Sequence, residues 1–145
     1  MCAASRTASA ASIRRVEGFD FVHRETVRFG DVDVMGHFNN AVYLTYIESA
    51  RIAFLLHLGA VQGLEDLGII VARIEIDFRA PLSFGEEVEV GVRAGRFGTK
   101  SFELEHELRA GGRLVAEASS VCVAYDYGRR ETVPIPDAWR ERLAA

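Results

Sequence analysis

From Ala41 to Leu58 the chain is largely apolar, and no glycine or proline interrupts it before Gly59. Tyr43, Tyr46, Ile47, Ala50 and Phe54 recur at the three- and four-residue spacing that aligns side chains on one stripe of an α-helix. Leu44, Ile52 and Leu55 widen that stripe and leave Thr45, Glu48, Ser49 and Arg51 as the polar exceptions. The pattern predicts a helix buried nearly all round and stopped by Gly59. Ahead of it, Phe19, Phe21, Val27 and Phe29 alternate loosely and predict a strand. From Ile69 onward the period is two. Ile74, Ile76 and Phe78 alternate with Arg73, Glu75 and Asp77; Val88, Val90 and Val92 alternate with Glu87, Glu89 and Arg93. Phe102, Leu104, His106 and Leu108 then alternate with Glu103, Glu105, Glu107 and Arg109, the pattern of a half-buried strand. Pro81 with Ser83 to Gly85, the Gly95/Gly98 stretch and Gly111-Gly112 read as the turns between these runs. A last strand over Arg113 to Tyr127 carries Ala116, Ala118, Ser120, Cys122 and Ala124 on one face, small enough for a helix to lie close. Pro134 and Pro136 precede a short amphipathic end with Trp139 and Leu143.

The order is strand, helix, then four strands joined mostly by tight turns. Consecutive hairpins imply an antiparallel sheet of about five strands, and the one long helix is the element it must wrap: an α+β fold. A sheet of this kind has an edge that needs cover, and pairing that edge with a second copy is an economical way to supply it.

Composition narrows the function classes. Hydrophobic residues make up 49% and charged residues 26% of the 145, ordinary for a globular protein and enough for a sizeable core. A net charge of −4 argues against a nucleic-acid-binding surface. Cys2 and Cys122 suggest no disulfide framework, and His23, His37, His57 and His106 lack metal-ligand spacing. Residues 1–16, rich in Ala and Ser, read as a disordered tail ahead of a single domain over 17–145. The apolar run around Ile52 to Leu58 is too short to span a bilayer, and the expected location is cytoplasmic.

The candidate chemistry lies in the polar turn before the helix, Arg28-Phe-Gly-Asp-Val-Asp-Val-Met-Gly-His-Phe-Asn-Asn40. Asn39 and Asn40 are good helix caps, since a short side-chain oxygen can accept from the free N–H groups of the first turn. Those N–H groups, with the positive end of the helix dipole, suit a developing oxyanion. A carboxylate just upstream would complete a minimal hydrolytic site. Asp31 reads as a loop-ordering residue, His37 as a turn residue or a water-orienting one, and Glu48 as the partner of Arg51 or of a group on another subunit.

The same run, followed by Ala41-Val-Tyr-Leu44 and Glu48-Ser-Ala-Arg51, resembles the hot-dog-fold acyl-CoA thioesterases of the 4-hydroxybenzoyl-CoA thioesterase type. Ile74-Glu-Ile-Asp-Phe-Arg-Ala-Pro81, Gly85-Glu-Glu-Val-Glu-Val90 and Lys100-Ser-Phe102 carry the resemblance across most of Phe19 to Tyr127. It implies a hot-dog fold and an acyl-CoA substrate, with no cofactor beyond the coenzyme A of the substrate. It also implies a homo-oligomer, a dimer or a tetramer of paired dimers, in which two subunits share each site. By the same resemblance Asp33 is the catalytic carboxylate, as base or nucleophile, and the Asn40 N–H polarises the thioester carbonyl, with His37 beside them. Tyr43, Glu48, Arg79, Lys100 and Ser101 form the expected substrate- and CoA-binding set. Gly98 and Thr99 stand where the 4-hydroxybenzoyl-CoA enzyme carries arginines before its lysine, and Arg96 is the candidate substitute. An acyl-carrier-protein thioesterase and a non-catalytic acyl-CoA-binding module are the competing functions.

Overall fold

The computed structural model describes residues 18–19, 21–36, 38–61, 63, 66 and 68–144. The tail expected over 1–16, with Cys2, lies outside the described residues, as does His37. The runs of alternating hydrophobicity are strands: β1 Phe21–Thr26, β2 Ile69–Phe78, β3 Glu87–Phe97, β4 Ser101–Ala110 and β5 Arg113–Asp126. A two-residue strand, β6 Glu131–Thr132, adds to β5. The sheet is antiparallel in the order β1-β3-β4-β5-β2. Residues 102 to 110 of β4 alternate between buried and half-buried positions, as period-two patterning requires. Gly111 and Gly112 make the β4–β5 turn with φ of 58° and 82°, the left-handed pair that matches the twist of a two-residue hairpin.

Helix α1, Asn40–His57, packs against one face of this sheet. Tyr46, Ile47, Ala50 and Leu55 are at most 1% exposed and share one core with Val88, Val90, Leu104, Leu108 and the small residues of β5, with Ala116, Cys122 and Ala124 closed off completely or nearly so. Burial is not all round, contrary to the pattern's expectation. Leu44 and Leu56 are 41% and 40% exposed, because a single chain has one sheet and covers only one side of the helix. A second helix, α2 Asp137–Ala144, closes the far end: Leu143 is buried, and Nη1 of Arg142 donates to the Leu58 carbonyl (2.9 Å), which satisfies a free acceptor at the C-terminus of α1. Among the described residues no helix is long and apolar enough to cross a membrane.

Candidate active site

The polar turn is built on a buried acid. Phe29–Asp31 forms a single 3-10 turn, and Oδ2 of Asp31 accepts from the Arg28 N–H (2.9 Å), the Arg28 guanidinium (3.4 Å) and the Tyr46 hydroxyl of α1 (2.5 Å). Burial works against the ionised form of Asp31, but the hydrogen bonds from Tyr46 and Arg28 outweigh it and hold its pKa below the usual carboxylate value. The Tyr46 hydroxyl is pushed up by burial and by the Asp31 charge, so it stays a donor. The Asp31 carbonyl then accepts from the Asn39 N–H (2.9 Å), and Val32 bridges to Phe38. These contacts pinch the segment between Val32 and Phe38 into a closed loop whose base is fixed to the helix.

Asp33 lies on that loop, with its side chain exposed. Its Oδ1 accepts from the Met35 N–H (2.9 Å) and its carbonyl from the Gly36 N–H (3.0 Å), an Asx turn completed by Gly36 at φ 76°. The Asn39 side chain caps α1 by accepting from the Ala41 N–H (3.0 Å), as expected. Asn40 occupies the first helical position, where a backbone N–H has no carbonyl within the helix to pair with.

Beside this helix start opens a cavity of about 330 Å³ lined by Phe38, Asn40, Tyr43, Phe78, Arg79, Ala80 and Pro81. Edge-to-face contacts join Phe38 to Tyr43 (4.6 Å between ring centres) and Tyr43 to Phe78 (5.0 Å), so the wall is aromatic. The Tyr43 hydroxyl donates to the Ala80 carbonyl (3.4 Å) and is raised in pKa by burial. Arg79 pairs with Glu117 (3.1 Å) and more distantly with Asp77 (3.8 Å). Behind the Pro81 wall, Arg113 donates to the Pro81 carbonyl (3.0 Å) and to Glu86 (2.7 Å), whose carboxyl it holds below the usual range.

Asn40, Tyr43 and Arg79 are thus brought together, with Asp33 on the adjoining loop. Lys100, Ser101 and Arg96 are not. The Val27 N–H donates to the Glu86 carbonyl just before β3 begins (2.8 Å), whereas Lys100 follows the end of that eleven-residue strand, about 30 Å away at the usual rise. There Lys100 reaches the Thr132 carbonyl and hydroxyl (3.4 and 3.3 Å), and Arg96 pairs with Glu103 (3.0 Å). Glu48 is exposed midway along α1 and does not reach the buried Nη1 of Arg51, which has no hydrogen-bond partner among the described residues. Sequence reasoning missed the Arg28–Asp31–Tyr46 network and the Phe38 and Phe78 walls. A tyrosine on the apolar stripe, with a buried-side hydroxyl to satisfy, was the available signal for the first.

A family model described as the Thioesterase-like superfamily matches residues 27–143. The chain belongs to that superfamily. The enzyme is, by that membership, a thioester hydrolase with a hot-dog fold. It is 26% identical over 129 residues to the 1,4-dihydroxy-2-naphthoyl-CoA hydrolase of Synechococcus elongatus, a match spanning 86% of this chain and 95% of that one. It is 27% identical over 121 residues to the long-chain acyl-CoA thioesterase FadM of Escherichia coli, across 81% and 92%. Among solved structures, a thioesterase from Thermus thermophilus complexed with coenzyme A and Zn superposes with a TM-score of 0.80 at 41% identity, covering 88% of this chain and 93% of that one. Among the described residues of this enzyme, no group of three metal-ligating side chains comes together.

Proposed function

We propose that the enzyme hydrolyses acyl-CoA thioesters, with Asp33 delivering the nucleophile and the helix start at Asn40 receiving the oxyanion. The observation that carries this is the placement of an exposed carboxylate on a loop pinned, through Asp31 and the Val32–Phe38 bridge, to the N-terminus of α1. A thioester asks little more, since a thiol with a pKa of roughly 8.5 leaves without a strong general acid. In the general-base route Asp33 takes a proton from water as the oxygen attacks the acyl carbon. The carbonyl oxygen gains charge against the Asn40 N–H, a donor of a kind worth about 3 kcal/mol in the transition state. The tetrahedral species then collapses to free acid and coenzyme A thiolate. In the nucleophilic route the carboxylate attacks the acyl carbon and the C–S bond breaks to expel coenzyme A thiolate; water then cleaves the resulting mixed anhydride, releasing the acid and restoring the Asp33 carboxylate. Both curated relatives named above act on CoA thioesters by name, which favours coenzyme A over a carrier protein.

Each site is shared between copies of the chain. Support comes from the cavity at the helix start and the basic residues around Lys100, which stand at opposite ends of one sheet, and from the open edge of β2, which among the described residues pairs only with β5. Pairing of that edge with a second copy would bring one copy's Lys100 and Arg96 toward the other's Asp33.

Asp33→Asn is expected to lower acyl-CoA turnover by about 10²- to 10⁴-fold with unchanged thermal unfolding, read as free thiol released. A folded Asp33→Asn enzyme with wild-type turnover would overturn the assignment.

A further inference from the structure

Arg51 sits in the middle of α1, 8% exposed, with Nη1 buried and without a hydrogen-bond partner. Among the described residues no carboxylate pairs with it. A guanidinium cannot shed its proton, so a buried one needs an anion or an acceptor from somewhere. Among the described residues the interior offers no anion, and a neutral acceptor such as the unpartnered Nδ1 of His106 would not balance the charge. His106 and Cys122 are close enough to feel the Arg51 charge, yet burial holds the imidazole neutral and keeps the thiol protonated. On its other side Arg51 lines a cavity of about 110 Å³ with Glu48, Ile52 and Leu55 of α1 and Ile69 and Val71 of β2. The cavity therefore opens beneath the free edge of the sheet, beside an exposed acid one helical turn earlier.

A buried cation lacking an anion and an exposed anion lacking a cation, on one helix face, are self-complementary under two-fold rotation. In an isologous contact residue i meets j and j meets i. We propose that a second copy of this chain, seated along the β2 edge, inserts its Glu48 into this cavity against Arg51 and receives the reciprocal pair. The proposal rests on the shared-site reading above and deepens it: the two ion pairs would lock the α1 helices together and so set the position of one helix start relative to the other subunit's basic residues. Each pair would be desolvated, the circumstance in which removing one member is costly.

Sedimentation velocity on the full chain tests this. Wild type should self-associate, and Glu48→Arg, a change at an exposed position, should weaken that association by about thirtyfold or more, because two buried cations would then face each other twice. Mixing Glu48→Arg with Arg51→Glu should give a heterodimer where neither variant pairs with itself. If Arg51→Glu does not fold, Arg51→Gln serves instead: in that background Glu48→Arg should cause no further loss. Glu48→Arg protein that associates like wild type overturns the proposal. So does association that is indifferent to Glu48 but weakens when inorganic phosphate is dialysed away, which would make a solution anion the occupant. A wild-type chain that is monomeric and still releases thiol would sink the shared-site reading itself, and with it the reciprocal pair. Thiol release by wild type reports on thioester hydrolysis separately from either.

Discussion

His106 is 2% exposed on the inner face of β4, its Nε2 3.0 Å from the Ser120 hydroxyl and its Nδ1 without a partner. Burial, reinforced by the nearby Arg51 charge, pushes its pKa down to about 3. Unfolding returns the imidazole to an ordinary value near 6.5, so between these limits the unfolded chain binds a proton that the folded chain refuses. Stability is therefore lost as pH falls below about 6.5. From about pH 7 to about pH 5 this one group should remove about 2 kcal/mol, and His106→Leu should shrink the drop in denaturant-derived stability by that amount. Asp31 adds a second limit lower down: its folded pKa is depressed, so its contribution is present above the unfolded value and is lost as pH falls through the folded one. Neither effect could be read from residue types. His106 shows in the sequence only as a polar member of an apolar series, and its charge state depends first on burial and then on Arg51, both of which only folding supplies.

Among the elements, the core shared by α1 and β5 is where sequence and structure agree on burial, although α1 lies nearest to β1 and β3. Alternation with small residues at Ala116, Ala118, Ser120, Cys122 and Ala124 signals a face to be approached closely, and the helix stripe through Tyr46, Ile47 and Ala50 is buried in the same core. Ala116→Leu should overpack this core, where Ala116 is fully buried, and cost about 1–3 kcal/mol in chemical denaturation. Ser119→Leu, on the opposite face of the same strand, should change stability by no more than about 0.5 kcal/mol. The helix start was legible too, because capping chemistry is local: Asn39 accepts from Ala41, two residues on. What was not legible is which side of α1 stays open. Leu44 and Leu56 look as apolar as Ile47, and periodicity cannot tell a residue covered by its own sheet from one left for another surface. The Tyr46–Asp31 bond and the Arg113 brace behind Pro81 escaped for a related reason, since both join positions far apart in the chain.

At the scale of the whole molecule, the residues expected in one site occupy two ends of a sheet. If Asp33 and Lys100 serve the same substrate, they come from different copies. Asp33→Asn and Lys100→Glu, each defective alone, should then complement on mixing: about half the dimers would be mixed, each with one of two sites intact, restoring about a quarter of wild-type turnover. Absence of recovery in a mixture shown to exchange subunits would place both residues in one chain's site or Lys100 outside it.

The strand order carries a further consequence for how the polypeptide is made. Among the described residues, Ile69–Phe78 pairs only with Arg113–Asp126, which the ribosome adds after two intervening strands. A nascent chain therefore holds an apolar strand with neither ladder satisfied until Arg113–Asp126 has been made and released to it, the kind of exposure that invites mispairing with neighbours. Slowing translation between the codons for Asp126 and Leu143, when Ile69–Phe78 has left a ribosomal tunnel that still encloses Arg113–Asp126, should increase insoluble product, whereas the same pause placed before the codon for Arg79 should not.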